Sequence, residues 1–148
     1  MNRRQQIRMT EAEIAAFLRE QDKAALATIG EDGFPHVVAM GYVVEDGAIM
    51  MTSYAKAQKV LNIRRNPKVG LMVETGGAYA ELRGVMIRGP CEVIEGEAAV
   101  KAAFVTMRAA RGGSSNPAAL ASAGKRVVLR LVPEKVTSWD HRKLAGRY

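Results

Sequence analysis

The sequence predicts one mainly β (α+β) domain, built as a closed or partly closed antiparallel β-barrel with helices between some of the strands. The first observation is a series of strand-like segments joined by the tight-turn signals Asp32-Gly33 and Asp46-Gly47. The second is a long extended segment at 79–94 with apolar residues at alternate positions. The third is the length of 148 residues, which suits a single domain spanning 1–148 without an internal repeat or a linker.

The first third of the chain predicts a helix followed by an antiparallel meander. Thr10 and Glu13 have the spacing of a capping box, and the helix they begin should end near Glu20. Three strands then follow. The predicted strands are 24–29, 34–44 and 48–52.

The stretch 49–67 is the part of the chain that most suggests binding. It predicts a strand, a polar turn and a basic amphipathic helix that Pro67 ends. The apolar side of this helix comprises Ala57, Val60, Leu61 and Ile63, and the polar side Gln58, Lys59, Asn62 and Arg65. Free N–H groups at the helix start, with Lys56 and Lys59 beside them, can hold a phosphate. Alternatively, the apolar side belongs to the core and the lysines are a solvated face.

The rest of the chain predicts more strands and one long helix. Gly84 and Gly89, inside the extended segment, indicate bulges or the close approach of another backbone, and Pro90 indicates an edge or a bend. Strands are expected at 68–74, 79–94 and 126–132, and a helix at 97–107. The segment 112–117 is predicted to be a flexible loop, and a short helical piece should follow it. Whether this loop acts as a lid is left open.

Composition restricts the partners. The net charge of +7 favours anionic ligands, but aromatic residues make up only 5% and no stacking motif is present, so nucleic acid is not expected. A lone Cys91 and two distant histidines predict neither a disulfide nor a metal site. With no apolar run of membrane-spanning length and no secretory signal, we expect a cytoplasmic protein without membrane contact.

The common catalytic signatures are missing. The sequence has no dinucleotide-binding glycine motif, no P-loop, no Gly-x-Ser-x-Gly and no His-Glu-x-x-His. We therefore assign no catalytic side chain. If the protein is an enzyme, a bound cofactor should supply the chemistry.

Four strings carry a family resemblance. They are LATIGEDGFPHV, AKAQKVLNIRRNPKVGLMVE, YAELRGVMIRG and SWDHRKL, and they span 26–144 in order. Together they resemble the flavin-binding split-barrel family that includes pyridoxamine 5′-phosphate oxidase, and most of all its actinobacterial branch of oxidoreductases that use the deazaflavin coenzyme F420. The resemblance implies a six-stranded antiparallel split β-barrel and a homodimer with cofactor sites at the subunit interface.

The resemblance also implies where the cofactor binds. The strand after the first hairpin turn would contact the ring through its backbone, and the third strand and its exit would contact the ring edge, ribityl chain and phosphate. The former residues are His36, Val37, Val38 and Ala39, and the latter are Met51, Thr52 and Ser53. Lys59 corresponds to the basic residue that holds the phosphate, and Trp139 would lie near the cofactor or serve only as a core or interface anchor.

One residue departs from the family pattern. Flavin-phosphate oxidases often have arginine where this chain has Gln58, so a planar phosphate partner is lost, and Lys56 can replace it as a point charge. This favours F420, with its anionic tail, over FMN. Oxidation of pyridoxamine phosphate itself is not expected, because SWDHRKL lacks the substrate-phosphate pattern. His36 is assigned a backbone role. His141 and Arg142 either line the pocket or belong to a solvated tail, and the tail is favoured.

The function expected from the resemblance is reduction of a small organic acceptor by hydride from F420H2. An FMN-dependent oxidoreductase is the alternative within the same class. The alternative from a different functional class is a non-catalytic protein that binds flavin or haem in the same barrel.

Overall fold

A computed structural model of the chain describes residues 2–113 and 116–147. Its helices are α1 (Arg3–Gln6), α2 (Glu11–Glu20), α3 (Gln58–Arg65), α4 (Glu97–Arg111) and α5 (Pro117–Ala121). Its strands are β1 (Lys23–Ile29), β2 (Pro35–Gly41), β3 (Val43–Glu45), β4 (Ala48–Tyr54), β5 (Lys68–Thr75), β6 (Arg83–Ile94), β7 (Arg126–Leu131) and β8 (Lys135–Asp140). Short 3₁₀ turns occupy Tyr79–Glu81, Ala123–Lys125 and His141–Leu144. The predicted fold class, antiparallel β with peripheral helices, is confirmed.

The strands pair in the order β2-β1-β5-β6-β7-β4-β3. The two ends of this path are consecutive in the chain and are separated by Tyr42 alone, so the sheet curves back on itself as a barrel does. Both predicted hairpins are present, since β1 pairs with β2 and β3 pairs with β4. The strand predicted over 34–44 is interrupted at Tyr42, whose N–H donates to the Asp22 carbonyl over 3.1 Å and whose hydroxyl donates to the Leu18 carbonyl over 2.6 Å.

The long strand β6 joins the two halves of the sheet. Its first part, Arg83 to Arg88, lies between β5 and β8, and from Cys91 onward it pairs with β7. The change of partner occurs at Gly89 and Pro90, where a Cβ on Gly89 would overlap the Val132 carbonyl. The predicted close approach of another backbone at Gly89 is therefore confirmed.

Helix α2 ends at Glu20 as predicted, whereas α4 ends later than predicted. Thr10 and Glu13 form the capping box at the start of α2. Helix α4 runs to Arg111, one turn beyond the predicted end, because Gly112 supplies the left-handed residue that ends it, with φ of +67°. The short helical piece is α5, while Ser114 and Ser115 of the predicted loop lie outside the described residues.

Helix α3 forms where predicted, but its buried face is shifted. Asn62 is fully buried, at 0% exposure, whereas Leu61 is 48% exposed. The sequence placed Leu61 on the apolar side and Asn62 on the polar side, and the structure corrects both. Asn62 is buried because its side chain is hydrogen-bonded on both sides, as described below, so burial leaves none of its polar atoms without a partner.

The C-terminal segment is ordered, which corrects the prediction of a solvated tail for His141. Strand β8 was not predicted, and with the interruption at Tyr42 it raises the number of strands among the described residues to eight, where six were expected. His141 is buried and its ring meets Tyr79 edge-on at 4.4 Å between centroids. Arg142 pairs with the buried Asp140 and is itself exposed, so it matches the prediction only in its exposure.

The apolar residues form two cores. The larger fills the barrel and includes Leu26, Met51, Val85 and Leu129. The smaller packs α4 against the outer side of β3, β4 and β7, and is built around Val100. Cys91 belongs to the larger core, where burial raises the pKa of its thiol to about 12, so it packs as a small apolar side chain.

No helix within 2–113 and 116–147 has the length and apolar character needed to cross a membrane. The same residues contain no group of three or more His, Cys, Asp or Glu side chains placed to hold a metal ion.

Candidate functional site

A cleft of about 550 Å³ lies between the β1–β2 turn and the first turns of α3. One wall is formed by Gly30, Glu31, Asp32, Phe34, Pro35 and His36, and the other by Gln58 and Asn62. The Phe34 ring is 74% exposed, which is unusual for a phenylalanine. The cleft thus combines an aromatic surface with polar side chains, a common composition for small-molecule sites.

The start of α3 is open to an anion. Ala57 occupies the N-cap position and has no side-chain acceptor, so the N–H groups of Gln58 and Lys59 receive no cap from it. Its carbonyl accepts from Val60 and Leu61. The Lys59 side chain is half-buried and that of Lys56 is exposed, so two positive charges reinforce the positive end of the helix dipole.

Four side chains form a polar network behind the cleft. The Asn62 Nδ2 donates to the Thr28 Oγ1 over 3.0 Å. The Asn62 Oδ1 accepts from the Gln58 Nε2 over 2.8 Å and from an Arg65 NH2 over 3.3 Å. The same Arg65 nitrogen lies 2.5 Å from the Ile29 carbonyl. These bonds attach α3 to β1 and set the position of Gln58 in the cleft wall.

The residues predicted on β2 alternate between two surfaces. Val38 packs against the barrel core, while Val37 is 61% exposed and Ala39 is exposed. His36 lines the cleft, and its Nδ1 is buried without a hydrogen-bond partner among the described residues. Val37, Val38 and Ala39 line a second, shallower cavity of about 340 Å³ with Met72 and Glu74.

The predicted site residues on β4 also lie on two different faces of the sheet. Met51 and Ser53 are buried, and the Ser53 hydroxyl donates to the Tyr54 carbonyl over 3.1 Å. The Thr52 side chain lies on the opposite face and lines a third cavity of about 380 Å³ beside Phe104 and Arg111. The structure therefore brings His36 and Gln58 together in one cleft and places Thr52 in another.

Trp139 lies on the outer face of the sheet. Its indole Nε1 donates to the Glu74 Oε2 over 2.9 Å, and the ring covers Gly84 on the neighbouring strand. Because Glu74 also lines the second cavity, Trp139 adjoins the surface formed by Val37 and Ala39.

Sequence reasoning missed Thr28, Asn62, Arg65 and Phe34 as parts of the site. The spacing of Gln58, Asn62 and Arg65 was an available signal, because residues three and four apart on a helix are neighbours. Thr28 carried no comparable signal, since its contact with Asn62 joins two elements that are distant in sequence.

Comparisons with known proteins agree with this geometry. Residues 10–140 match the family model described as pyridoxamine 5′-phosphate oxidase. The chain is 39% identical to Rv2991, a conserved hypothetical protein of Mycobacterium tuberculosis, with a TM-score of 0.88 over 100% of this chain and 95% of that one. A search of the curated proteins found no match.

Two further solved structures are similar. An F420 reductase is 25% identical, with a TM-score of 0.68 over 82% of this chain and 94% of that one. HutZ, the haem storage protein of Vibrio cholerae, is 18% identical, with a TM-score of 0.67 over 86% of this chain and 94% of that one. At 18% identity the second likeness shows the fold alone.

The family model covers most of the chain, and the pairing order gives the curved antiparallel sheet that the resemblance implied. The four sequence strings, the fold and the comparisons all point to the same group. The chain belongs to the pyridoxamine 5′-phosphate oxidase family of split barrels.

Proposed function

We propose that this chain is an F420-dependent oxidoreductase that reduces a small organic acceptor. The observation that carries the proposal is the uncapped start of α3, at Gln58 and Lys59, where Gln58 lines a cleft whose opposite wall begins β2. The likeness to an F420 reductase supports the deazaflavin over FMN. The net charge of +7 suits the anionic tail of F420.

The residues present fit such a cofactor. The uncapped N–H groups of Gln58 and Lys59 and the two lysine charges would hold its phosphate. Strand β2 pairs with β1 along one edge only, within the part of the chain that the structure describes. Backbone groups on its other edge would then be free to meet the ring, the contact assigned to His36, Val37, Val38 and Ala39.

When bound, reduced F420 supplies a hydride from its deazaflavin ring. The protein's own contribution is to hold the ring and the acceptor in contact and to exclude water. We assign no acid or base role to a side chain. Trp139 would close the site from β8. Met51 and Ser53 are buried and Thr52 lines the third cavity, so this proposal includes no direct contact from β4.

We further propose that two copies of the chain associate through the outer face of the sheet. This face is apolar and shallow, because Ala25, Ala39 and Met72 lie side by side on paired strands and Met72 adjoins Met86. Met72 and Met86 are 41% and 42% exposed, so the face presents apolar surface that a second copy would cover. Val37 and Trp139 border it, which would place the cofactor at the subunit interface.

We expect the protein to act in the cytoplasm. The buried, unpaired Cys91 suits a reducing compartment.

A fluorescence titration tests the cofactor and its phosphate site together. Purified, cofactor-free protein is titrated with F420 and separately with FMN, and the titrations are repeated on Lys59→Ala. We expect micromolar or tighter binding of F420, stronger than that of FMN, and about tenfold weakening in the variant, equivalent to about 1.4 kcal/mol. Lys101→Ala is the matched control, because Lys101 pairs with Glu97 on α4, and it should bind as the parent does.

Other results would redirect the proposal. Tighter binding of FMN would keep the oxidoreductase and change the cofactor. Tight binding without turnover of any acceptor would indicate a non-catalytic flavin- or haem-binding protein. Binding of neither F420 nor FMN would remove the functional assignment.

A further inference from the structure

Almost all of the excess positive charge lies in two short segments of the sequence. Residues 1–10 contain three basic residues and no acidic one, and the same is true of residues 141–148. These six are Arg3, Arg4, Arg8, Arg142, Lys143 and Arg147. Since the chain has 22 basic and 15 acidic residues, residues 11–140 hold 16 of the former and all 15 of the latter. The two segments therefore contribute +6 of the net charge of +7.

The structure brings the two segments together. The Asp140 N–H donates to the Ile7 carbonyl over 2.7 Å. The Lys143 Nζ donates to the Arg8 carbonyl over 2.8 Å. Arg3 is one helical turn from Ile7, whose N–H donates to the Arg3 carbonyl over 3.1 Å. All six basic residues are exposed, and we call the region that they form the basic surface.

Most of the basic surface is left without acidic partners. Arg142 pairs with Asp140. Lys143 pairs with Glu13. Within residues 2–113 and 116–147, no ion pair is formed by Arg3, Arg4, Arg8 or Arg147. Like charges held close together repel one another, so this surface attracts anions. A guanidinium suits phosphate in particular, because it can donate two parallel hydrogen bonds.

The basic surface is separate from the phosphate site proposed at the start of α3. It adjoins the first residue of β6, because Arg83 pairs with Asp140 across β6 and β8. Helix α3 adjoins the other end of this 12-residue strand, since Arg64 pairs with Glu95, just beyond Ile94, over 2.6 Å. The cofactor of the same chain therefore does not account for the charges of the basic surface, which point to a different anion.

The basic surface offers charge and few other contacts. Among its apolar side chains, Met9 and Leu144 are buried and Ile7 is half-buried. His141 is buried, and the Tyr79 ring that meets it is an exposed aromatic group at the border. A protein partner needs an apolar interface centre, and single-stranded nucleic acid stacks successive bases on several rings. Stable attachment to a membrane takes a lipid chain or an apolar face as well as a basic patch.

A nucleic acid duplex needs none of these contacts. Its backbone carries regularly spaced phosphates, which Arg and Lys side chains bind without touching the bases. We propose that the basic surface binds the phosphate backbone of a nucleic acid duplex without reading its sequence. The low aromatic content that argues against nucleic acid concerns binding by base stacking, which a duplex backbone does not require.

Two triple variants with the same net charge test the proposal. The arginine variant combines Arg3→Gln, Arg4→Gln and Arg8→Gln. The lysine variant changes three exposed residues outside the basic surface and combines Lys68→Gln, Lys101→Gln and Lys135→Gln. Each variant has lost three positive charges from the parent's net +7. Fluorescence anisotropy of a short labelled duplex gives the dissociation constants at a series of salt concentrations.

We expect the parent to bind duplexes of unrelated sequence with similar dissociation constants, about 1–100 µM near physiological salt. The logarithm of its binding constant should fall with the logarithm of the salt concentration with a slope of about −3.6, because each phosphate contacted by an unpaired arginine contributes about −0.9. The arginine variant should bind about tenfold more weakly or worse, with a slope near about −0.9, and the lysine variant should match the parent. Both variants should keep the parent's circular dichroism, because the hydrogen bonds between the two segments use the Ile7 and Arg8 carbonyls.

Equal weakening in the two variants would show that binding follows net charge and not the basic surface, and the proposal would be wrong. Failure of the parent to bind any duplex would overturn it as well. Tighter binding of a single strand, or of vesicles of phosphatidylserine and phosphatidylcholine, would assign the surface to a different partner and reject the duplex. F420 and FMN play no part in these measurements, so their outcome is independent of the proposed function.

Discussion

The indole ring of Trp139 lies directly over the α-carbon of Gly84, and a Cβ on this glycine would overlap the ring atoms. The two residues are paired across β6 and β8. Glycine is thus required here by the close approach of a neighbouring side chain and not by its backbone angles.

Gly84→Ala should displace Trp139 and break its 2.9 Å hydrogen bond to Glu74. We expect a red shift of the tryptophan emission, since the ring would be forced toward water, and a loss of about 1–3 kcal/mol from the free energy of unfolding. Both are measurable on one sample, because the chain has one tryptophan.

Gly70→Ala is the control for this substitution. Gly70 lies on the same sheet, but a Cβ there would meet only the Ala27 Cβ at an ordinary 4.0 Å. The tryptophan emission spectrum and the stability of Gly70→Ala should match those of the parent protein. An unchanged spectrum in Gly84→Ala would show that Trp139 does not occupy this position in solution.

Met72→Lys should convert the proposed dimer to a monomer. Met72 is 41% exposed at the centre of the apolar sheet face, and a charge there would be buried unpaired in the interface. Molar mass from light scattering after size-exclusion chromatography reports the result. Val105→Lys is the matched control, since Val105 is 58% exposed on α4; a parent that elutes as a monomer would contradict the proposed dimer.

Asp140 should make stability depend on pH in the acid range. Arg142 donates from Nε and NH2 to the two carboxylate oxygens of Asp140 over 2.9 and 2.7 Å, and these hydrogen bonds hold the pKa of Asp140 below its usual value. Because the folded-state pKa lies below the unfolded value of about 3.9, the stabilisation is complete above that value. It is lost as the pH falls through the folded-state pKa.

Asp140→Asn should therefore lower the melting temperature at pH 7. The free energy of unfolding should fall by only about 1 kcal/mol, because Arg142 is exposed and solvent screens its attraction to Asp140. The difference from the parent should shrink below about pH 4. Thermal unfolding between neutral and acid pH measures both effects. Glu92→Gln, which removes an exposed pair at 3.9 Å, should leave the acid profile unchanged; a difference for Asp140→Asn that persists to low pH would refute the assignment.

The sequence predicted the elements whose signals are local. The capping box of Thr10 and Glu13, the Asp-Gly hairpins and the glycines of β6 depend on residues close in the chain, and each structural feature lies where expected. The interruption at Tyr42 could not be predicted, because the contact that causes it reaches Leu18 on another element. Strand β8 was missed because its burial pattern is not alternating and its pairing partner, β6, is distant in sequence.

By itself, the sequence determined the antiparallel β class, the family, and the position of a basic helix start at Lys59, since each depends on residue order and periodicity. Only the tertiary structure decided that Asn62 is buried, that Gln58 lines the cleft and donates to Asn62, and that Thr52 lies on a different surface from His36. These outcomes depend on which strand lies beside which helix. A polar side chain is buried or exposed according to the partners that distant parts of the chain bring to it.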